Sequence, residues 1–229
     1  RMGRAAAPPE KWGTSRKQFM LLDGLPIIVH TIRKFVKCAA VSEIIVALRP
    51  EDLDWARDLL AREAAGKTLK LVTGGDTRQE SVENALREVA PDTQLVAVHD
   101  AVRPFVDEAI IEAVIAEAAA CGAAIVGIVP VDTVKQVQRN KIRATIPRDK
   151  LVLTQTPQVF RLELLREAFQ KAREDGFVGT DESSLVERLE RVEVSVVPGS
   201  DRNIKITKPS DMDLARLFLA EQQARQAPG

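Results

Sequence analysis

Short apolar segments alternate with amphipathic ones along the chain, and this alternation predicts an α/β fold. Four segments are apolar and rich in β-branched residues, which is typical of strands covered on both faces. They span residues 43–48, 68–73, 94–99 and 123–129. Between them, apolar residues recur at helical spacing, which predicts helices over 26–36, 77–89 and 107–121. Strand–helix–strand order of this kind predicts a doubly wound, mostly parallel sheet.

The segment 132–150 breaks this rhythm. Ile142, Ala144 and Ile146 alternate with polar residues, which is the two-residue period of a strand, and Arg139-Asn140 offers a turn. We therefore predict a β-hairpin arm inserted into the domain. Because a two-stranded ribbon alone is marginally stable in water, we expect it to pack on something, and a second subunit is a natural candidate.

Helical patterns resume after the arm, and no repeat or linker interrupts the chain. Helices are predicted at 161–174, 181–189 and 210–223, with strands near 192–197 and 203–206. Residues 1–229 are therefore predicted to form one domain, with the arm at about 132–150.

Charge and composition narrow the possible partners. The chain has 33 Lys and Arg against 33 Asp and Glu, so its net charge is zero, and aromatic residues make up only 4%. Neither feature favours a nucleic acid as the partner.

Membrane insertion and a zinc ribbon are also disfavoured by the sequence. The longest weakly charged stretch, 118–131, is shorter than the roughly 20 residues of a membrane helix. Cys38 and Cys121 form no C-x-x-C motif, which excludes a zinc ribbon and favours free thiols in a cytoplasmic protein, although one disulfide is possible.

Polar residues follow the predicted strands where they end, which is where ligands sit in open α/β sheets. The first such segment is Gly74-Gly75-Asp76-Thr77-Arg78-Gln79-Glu80-Ser81. Its glycines allow close backbone approach, and Asp76 or Thr77 can cap the next helix. A helix start of this kind can hold an anion or a base edge, and a capped turn without a ligand is the alternative.

The second such segment begins at Asp100, directly after the strand at 94–99. A carboxylate at a strand end can bind Mg²⁺ or a ribose hydroxyl, and Arg103 can hold a phosphate in a bidentate manner. A local Asp–Arg ion pair is the alternative. His99 points away from Asp100 along a strand, so we assign it a structural role. Lys17 follows a polar, proline-containing stretch that could close over a ligand, although a solvated surface lysine fits as well.

Four further segments place Thr or Lys after predicted elements. Their candidate residues are Thr133, Thr156, Thr180 as a helix N-cap, Lys205 and Thr207. Only two histidines are present, and neither a P-loop nor a G-x-G-x-x-G motif occurs. The remaining candidates are a carboxylate and several Arg, Lys and Thr side chains at the ends of strands. Such a set suits phosphate esters and nucleotidyl transfer, where catalysis depends on positioning and charge neutralisation.

Taken in order along the chain, these motifs resemble the 2-C-methyl-D-erythritol 4-phosphate cytidylyltransferase family. The matching pieces are Arg1-Met2, K-Q-F at 17–19, G-G-D-T-R-Q-E-S-V at 74–82, H-D-A-V-R-P-F at 99–105, P-V-D-T-V-K at 130–135, T-Q-T-P-Q at 154–158, G-T-D-E-S-S at 179–184 and N-I-K-I-T at 203–207. The resemblance implies a Rossmann-like nucleotidyltransferase fold, and a reaction in which CTP and methylerythritol 4-phosphate give a cytidylyl product and pyrophosphate, with Mg²⁺ bridging the phosphates.

The resemblance also implies a role for each candidate residue. Arg1 and Lys17 would stabilise the triphosphate. The cytidine end would be held by Gly74, Gly75, Arg78 and Ser81, with Asp100 placed for the metal or a hydroxyl. The sugar phosphate would be held by Ala101, Arg103, Thr133, Thr156, Thr180 and Thr207. Arg148 would reach from the arm into the site of the other subunit of a homodimer and act there with Lys205.

Two alternatives stay open beside this interpretation. One is a cytidylyltransferase for another alditol phosphate, such as ribitol 5-phosphate, and the other is a non-catalytic nucleotide-binding protein of the same fold. The family begins with a strand and a glycine-rich loop of the pattern A-A-G-x-G-x-R-M, of which only Arg1-Met2 stands here. We therefore expect further residues to precede Arg1 in the full protein.

Overall fold

The structure, a computed structural model, describes residues 16–226. The strands are β1 (Leu21–Leu22), β2 (Leu25–Pro26), β3 (Glu43–Leu48), β4 (Thr68–Thr73), β5 (Leu95–Val98), β6 (Ala123–Ile128), β7 (Val134–Gln138), β8 (Lys141–Ile146), β9 (Leu153–Arg161) and β10 (Ser195–Pro198). The helices are α1 (Ile27–Lys37), α2 (Pro50–Glu63), α3 (Arg78–Arg87), α4 (Glu108–Cys121), α5 (Leu162–Glu174), α6 (Glu182–Glu187) and α7 (Pro209–Gln226). Single 3₁₀ turns lie at Lys17–Phe19 and Arg148–Lys150.

Four strands form the larger sheet, in the order β10-β6-β9-β5. β10 and β6 are parallel, whereas β9 is antiparallel to both β6 and β5. Three of the four strands therefore run in the same direction. β3 and β4 form a separate parallel pair. The predicted α/β class with a mostly parallel sheet is confirmed, with β9 as the strand that runs against the rest.

Helices cover both faces of the larger sheet, as the alternation of side chains along β6 shows. Ala123 and Ile125 pack into a core with Leu165 of α5. Ala124 and Val126 face the other way and pack against α4. Successive residues of a strand point to opposite faces, so this apolar strand is buried on both faces. The doubly wound arrangement is therefore confirmed.

An apolar cavity of about 810 Å³ separates β3 from β5. Both strands line it along their length, α1 and α3 close its two faces, and its polar end reaches Arg78, Asp100 and Lys205. The cavity thus connects the core between the two sheets with the cluster of charged residues described below.

The predicted arm is an antiparallel hairpin of β7 and β8. Arg139 and Asn140 form its turn, with φ of 49° and 60°, and left-handed backbone at both central positions matches the twist of a hairpin. Apart from Val134 and Ile146, where its two strands begin and end, every residue of the two strands is exposed. The arm therefore projects from the body of the domain.

The secondary structure departs from the sequence analysis at three segments. Residues 203–206 form no strand: the Asn203 side-chain amide donates to Gln155 Oε1 and to the Thr156 carbonyl of β9, and Ile206 packs against Leu22 and Ile27. Residues 154–158, quoted as a motif with no secondary structure assigned, lie inside β9, the longest strand described. Helix α2 was not predicted, although Pro50 at its start and two acidic residues in its first turn are typical of a helix N-terminus. None of the helices in the described part is long and apolar enough to cross a membrane.

Candidate active site

Asp100 is the centre of a cluster of three cationic side chains. Its Oδ2 lies 3.1 Å from Lys205 Nζ and 3.3 Å from Arg103 Nε, and its Oδ1 lies 3.4 Å from Arg78 Nε. The carboxylate is 11% exposed, whereas the Lys205 side chain is 44% exposed. These three cations face two carboxylates, Asp100 and the Glu182 that pairs with Arg78, so one net positive charge remains at the mouth of the cavity, which suits a polyanionic ligand.

The charge state of Asp100 follows from these neighbours. Burial alone would raise the pKa of the carboxyl, but the nearby charges of Lys205, Arg78 and Arg103 more than offset burial, so its pKa lies below the usual value. Asp100 is therefore ionised at neutral pH, with both of its oxygens paired to these cations.

Arg78 is held by a second carboxylate beneath it. Its Nη1 and Nη2 donate to Glu182 Oε1 and Oε2 at 2.6 and 2.8 Å, a bidentate pair between the start of α3 and the start of α6. The Glu182 side chain is 2% exposed. Since a buried carboxylate without a partner is costly, this pair fixes the guanidinium beside Asp100.

The turn before α3 is closed by its own side chains. Thr77 and Glu80 form a capping box, the Asp76 N–H donates to Glu80 Oε2 at 2.7 Å, and the Gly75 N–H donates to Ser81 Oγ at 3.1 Å. A Cβ at Gly75 would lie 2.2 Å from that of Glu80, so the turn requires glycine there. Its N–H groups are thus engaged within the chain, and an anion would have to displace these side chains to bind them.

Thr156 and His99 connect β9 to the loop that begins at Asp100. The Asp100 N–H donates to Thr156 Oγ1 at 3.0 Å, and the same hydroxyl lies 3.0 Å from His99 Nδ1. His99 Nε2 lies 3.1 Å from the Arg103 carbonyl oxygen. Burial lowers the pKa of His99 to about 4, so the ring is neutral at pH 7.

Lys17 lies in a half-buried turn anchored on α2. The preceding Arg16 donates to Asp52 Oδ1 at 2.5 Å and to Glu51 Oε1 at 2.8 Å. The ring of Phe19 packs edge-on against Trp55 at 5.1 Å between centroids. Gln18 lines the cavity that also reaches Arg78, Asp100 and Lys205, which places the turn of Lys17 along the same cavity.

The remaining predicted residues lie further out. Thr133 and Arg148 belong to the arm and are exposed, and an Arg148 N–H donates to the Val131 carbonyl oxygen. Thr180 is exposed and is not the N-cap predicted for α6: Asp181 is, because its carboxylate accepts from the Ser184 N–H. Thr207 is exposed, with its hydroxyl donating to Asp211 Oδ2 at 2.9 Å.

Two predicted residues need separate mention. The carbonyl oxygen of Ala101 accepts from the Thr31 hydroxyl at 2.8 Å, so this backbone group is already engaged. Arg1 lies outside the described residues.

A divalent cation fits this site only together with a ligand. Residues 16–226 contain no group of three or more His, Cys, Asp or Glu side chains arranged to hold a metal. Asp100 offers a single ionised carboxylate, and Mg²⁺ is commonly held by one or two carboxylates plus substrate phosphates. The donor set at Asp100 therefore fits a Mg²⁺ ion whose other ligands are phosphate oxygens and water.

Sequence reasoning missed two residues that organise the site. Glu182 stands at the start of a predicted helix with no role assigned to it, yet it anchors Arg78. Gln158, 1% exposed, donates to Asp181 Oδ2 at 2.8 Å and accepts from the Ser183 N–H at 3.0 Å, which holds the segment around Thr180 against β9. Both residues lie within the motifs quoted above, but the spacing of residues in those motifs does not indicate which side chain each of them contacts.

Comparison with known proteins yields one family. Residues 10–221 match the family model described as 2-C-methyl-D-erythritol 4-phosphate cytidylyltransferase. A protein of that name from Solibacter usitatus is 63% identical, over 98% of this chain and 93% of the relative, and one from Acidobacterium capsulatum is 48% identical, over 91% and 89%. A crystal structure of 4-diphosphocytidyl-2C-methyl-D-erythritol synthase from Anaerococcus prevotii superposes with a TM-score of 0.84, at 30% identity over 90% of each chain. The chain belongs to the 2-C-methyl-D-erythritol 4-phosphate cytidylyltransferase family.

Proposed function

We propose that this chain is a nucleotidyltransferase that joins CTP and 2-C-methyl-D-erythritol 4-phosphate, giving 4-diphosphocytidyl-2-C-methyl-D-erythritol and pyrophosphate in non-mevalonate isoprenoid precursor biosynthesis. One observation carries the proposal beyond family membership: Arg78, Arg103 and Lys205 converge on Asp100 at the mouth of one cavity. An excess of positive charge around an ionised carboxylate suits a reaction between two phosphorylated substrates.

In the proposed reaction, a phosphate oxygen of the sugar-alcohol phosphate attacks the α-phosphorus of CTP in line. A new P–O bond forms, the bond between the α-phosphorus and the bridging oxygen breaks, and the electron pair leaves with pyrophosphate. A phosphate dianion is already a nucleophile at pH 7, so no general base is needed. The protein therefore acts by orienting the two substrates and by stabilising negative charge.

The cationic side chains divide between the two substrates. Lys17 and Arg1 are assigned to the triphosphate, and Arg103 and Lys205 to the sugar-alcohol phosphate. Asp100 would hold Mg²⁺ with the phosphate oxygens, an ion that neutralises phosphate charge when bound. Arg103 is suited to fixed recognition, because its Nη1 donates to the Asn203 carbonyl at 2.7 Å and its side chain is only 12% exposed.

The cytidine end is assigned to the turn Gly74–Ser81, with the threonines 133, 156, 180 and 207 and Ala101 on the sugar-alcohol side. Because the N–H groups of Gly75 and Asp76 are engaged, we assign recognition of the cytosine amino group to carbonyl oxygens of this turn. An amino group is a donor and needs an acceptor, which a compact turn of backbone carbonyls supplies.

We further propose that the arm pairs two subunits into a homodimer and carries Arg148 into the partner's site. Val137 and Ile142 are 62% and 65% exposed and face each other across the hairpin, and Val131 at its base is 77% exposed. Exposed apolar side chains grouped on one projecting element favour a protein interface. The cytoplasm is the proposed location, in keeping with two unpaired thiols at Cys38 and Cys121.

The direct test measures pyrophosphate release by the full-length protein with Mg²⁺, CTP and 2-C-methyl-D-erythritol 4-phosphate. Replacing CTP by UTP or ATP, and the sugar-alcohol phosphate by ribitol 5-phosphate, tests each half of the specificity. We expect release with the proposed pair to exceed every substituted pair by at least about 100-fold in kcat/KM. Release no greater than background with that pair would overturn the proposal.

A further inference from the structure

The loop from Asp100 to Arg103 carries two of the charged groups assigned above, and its backbone is closed at both ends. The Arg103 N–H donates to the Asp100 carbonyl at 3.0 Å, which makes the four residues a tight turn. The Asp100 N–H donates to Thr156 Oγ1 at 3.0 Å at one end, and the Arg103 carbonyl lies 3.1 Å from His99 Nε2 at the other. Both contacts lead to the same histidine.

The partners of His99 determine where its proton lies. The Arg103 carbonyl can only accept a hydrogen bond, so Nε2 must carry the proton. In a neutral ring Nδ1 is then an acceptor, and the Thr156 hydroxyl, which already accepts from the Asp100 N–H, donates its own proton to Nδ1. The hydrogen bonds therefore run in one direction, from the Asp100 N–H through Thr156 and His99 to the Arg103 carbonyl.

The ring itself is held in place. Phe35 of α1 packs against it at 4.8 Å between ring centroids, and His99 directly follows β5. Because the ring is fixed by packing and uses both nitrogens, it determines the separation between the two ends of the turn. That separation in turn places the Asp100 carboxylate and the Arg103 guanidinium, whose Nε lies 3.3 Å from Asp100 Oδ2.

We propose that His99 is a positioning residue of the proposed reaction: its ring, protonated on Nε2, ties the two ends of the Asp100–Arg103 turn through Thr156 and so holds the carboxylate and guanidinium in their working places. The inference rests on the proposed function for its kinetic consequence, but not for the hydrogen-bond arrangement. It also gives Thr156 a second role, since the only proton of its hydroxyl is engaged by His99 and Thr156 could offer a substrate only an acceptor.

Nitrogen-15 NMR of the histidine rings at pH 7 tests the arrangement without any substrate. The chain has two histidines, so His30→Gln assigns the signals. We expect His99 Nε2 to show the shift of a protonated nitrogen and Nδ1 that of an unprotonated acceptor. Thr156→Val should move the Nδ1 signal, and the matched Thr156→Ser variant should restore it. A proton on Nδ1, or an Nδ1 shift that Thr156→Val leaves in place, would overturn the inference.

Kinetics of His99→Gln and His99→Leu separate positioning from a purely structural role. Gln keeps an N–H for the Arg103 carbonyl, whereas Leu keeps neither hydrogen bond. Per folded molecule, we expect kcat to fall on the order of tenfold for Gln and 100-fold for Leu, since small misplacements of reacting groups have costs of this size. The KM for the sugar-alcohol phosphate should rise as well, because Arg103 is assigned to that substrate.

Other kinetic outcomes contradict the inference. Equal losses in both variants, or a kcat that is unchanged once the folded fraction is taken into account, would make His99 structural only. If the wild-type protein releases no pyrophosphate with any substrate pair, the proposed function falls, and the NMR comparison alone then decides how His99 is bonded.

Discussion

The Asp100 cluster and the β7–β8 arm carry the two halves of the proposed site, and they are built in opposite ways. Asp100, Arg103 and Arg78 all engage charged or polar groups contributed by other elements of the same chain. In the arm, Val137 and Ile142 point into solvent. The cluster side chains are already fixed within one subunit, so they need no further ordering when substrate binds. The apolar side chains of the arm become buried only when a second surface packs against them. The comparison predicts that changes in the cluster alter chemistry and folding, and that changes in the arm alter assembly.

The largest effect is expected for Lys205→Ala. The ammonium group lies 3.1 Å from Asp100 and is assigned to the attacking phosphate, so its loss should lower kcat on the order of 100- to 1,000-fold while CTP affinity stays nearly constant. Isothermal titration with CTP and pyrophosphate assays measure the two quantities, and Lys208→Ala, an exposed lysine three residues on, is the control. A large loss of CTP binding would show that Lys205 is misplaced on the sugar-alcohol side.

The next largest effect is expected on the free energy of unfolding, and its size should differ between the two partners of the Arg78–Glu182 ion pair. Arg78→Ala leaves the Glu182 carboxylate, 2% exposed, without its bidentate partner, which should lower the free energy of unfolding by about 3–4 kcal/mol. Glu182→Gln removes the buried charge itself and should cost less. Urea denaturation of both variants measures the difference, and equal losses would mean that the carboxylate finds another partner or water.

Acid should lower the free energy of unfolding, because the folded protein holds His99 in its neutral form. The unfolded ring has a pKa near 6.5 and the folded ring one of about 4, so the unfolded state binds a proton first as pH falls. The free energy of unfolding should therefore drop by about 3 kcal/mol between pH 7 and pH 4 on account of this residue. His30, whose pKa is also lowered by burial, contributes with the same sign.

The variant His99→Gln isolates this contribution. Gln does not titrate, so unfolding measured at pH 7, 5.5 and 4 should show a shallower fall for the variant than for the wild-type protein. Parallel pH curves for the two proteins would mean that His99 titrates alike in the folded and unfolded states.

The smallest effect on folding is expected in the arm. Ile142 is 65% exposed, so Ile142→Glu should change the unfolding free energy of a subunit by less than about 0.5 kcal/mol. The same substitution should shift a dimer toward monomer in sedimentation experiments, because a charge enters an apolar interface. The control is Lys141→Glu, at the neighbouring exposed position of β8. An unchanged dimer would exclude this face of the arm from the interface.

Local sequence patterns were sufficient for much of the sheet and for part of the site. The runs at 43–48 and 68–73 correspond to β3 and β4 residue for residue, since each is a short, mostly apolar segment. Asp100 and Arg103 are three positions apart, so their ion pair was one of the expected alternatives. The hairpin followed from its two-residue period and from a turn residue, Asn140, that tolerates left-handed backbone.

Contacts between distant positions were beyond the sequence. Arg78 and Glu182 are separated by 104 positions, and no local pattern pairs them. The strand β9 was missed because Thr156 and Gln158 are polar although buried; their hydrogen-bond partners, His99 and Asp181, come from other parts of the chain.

Mixed dimers test most directly the claim that cluster and arm form one site across two subunits. Arg148→Ala and Lys205→Ala, each expected to be nearly inactive alone, are combined under conditions in which subunit exchange is verified by mass spectrometry. Arg143→Ala on β8 is the control for changes in the arm. Random exchange makes half the dimers hybrids, each with one intact site, so activity should recover to about a quarter of the wild-type value. No recovery despite verified exchange would show that Arg148 does not serve the partner's site.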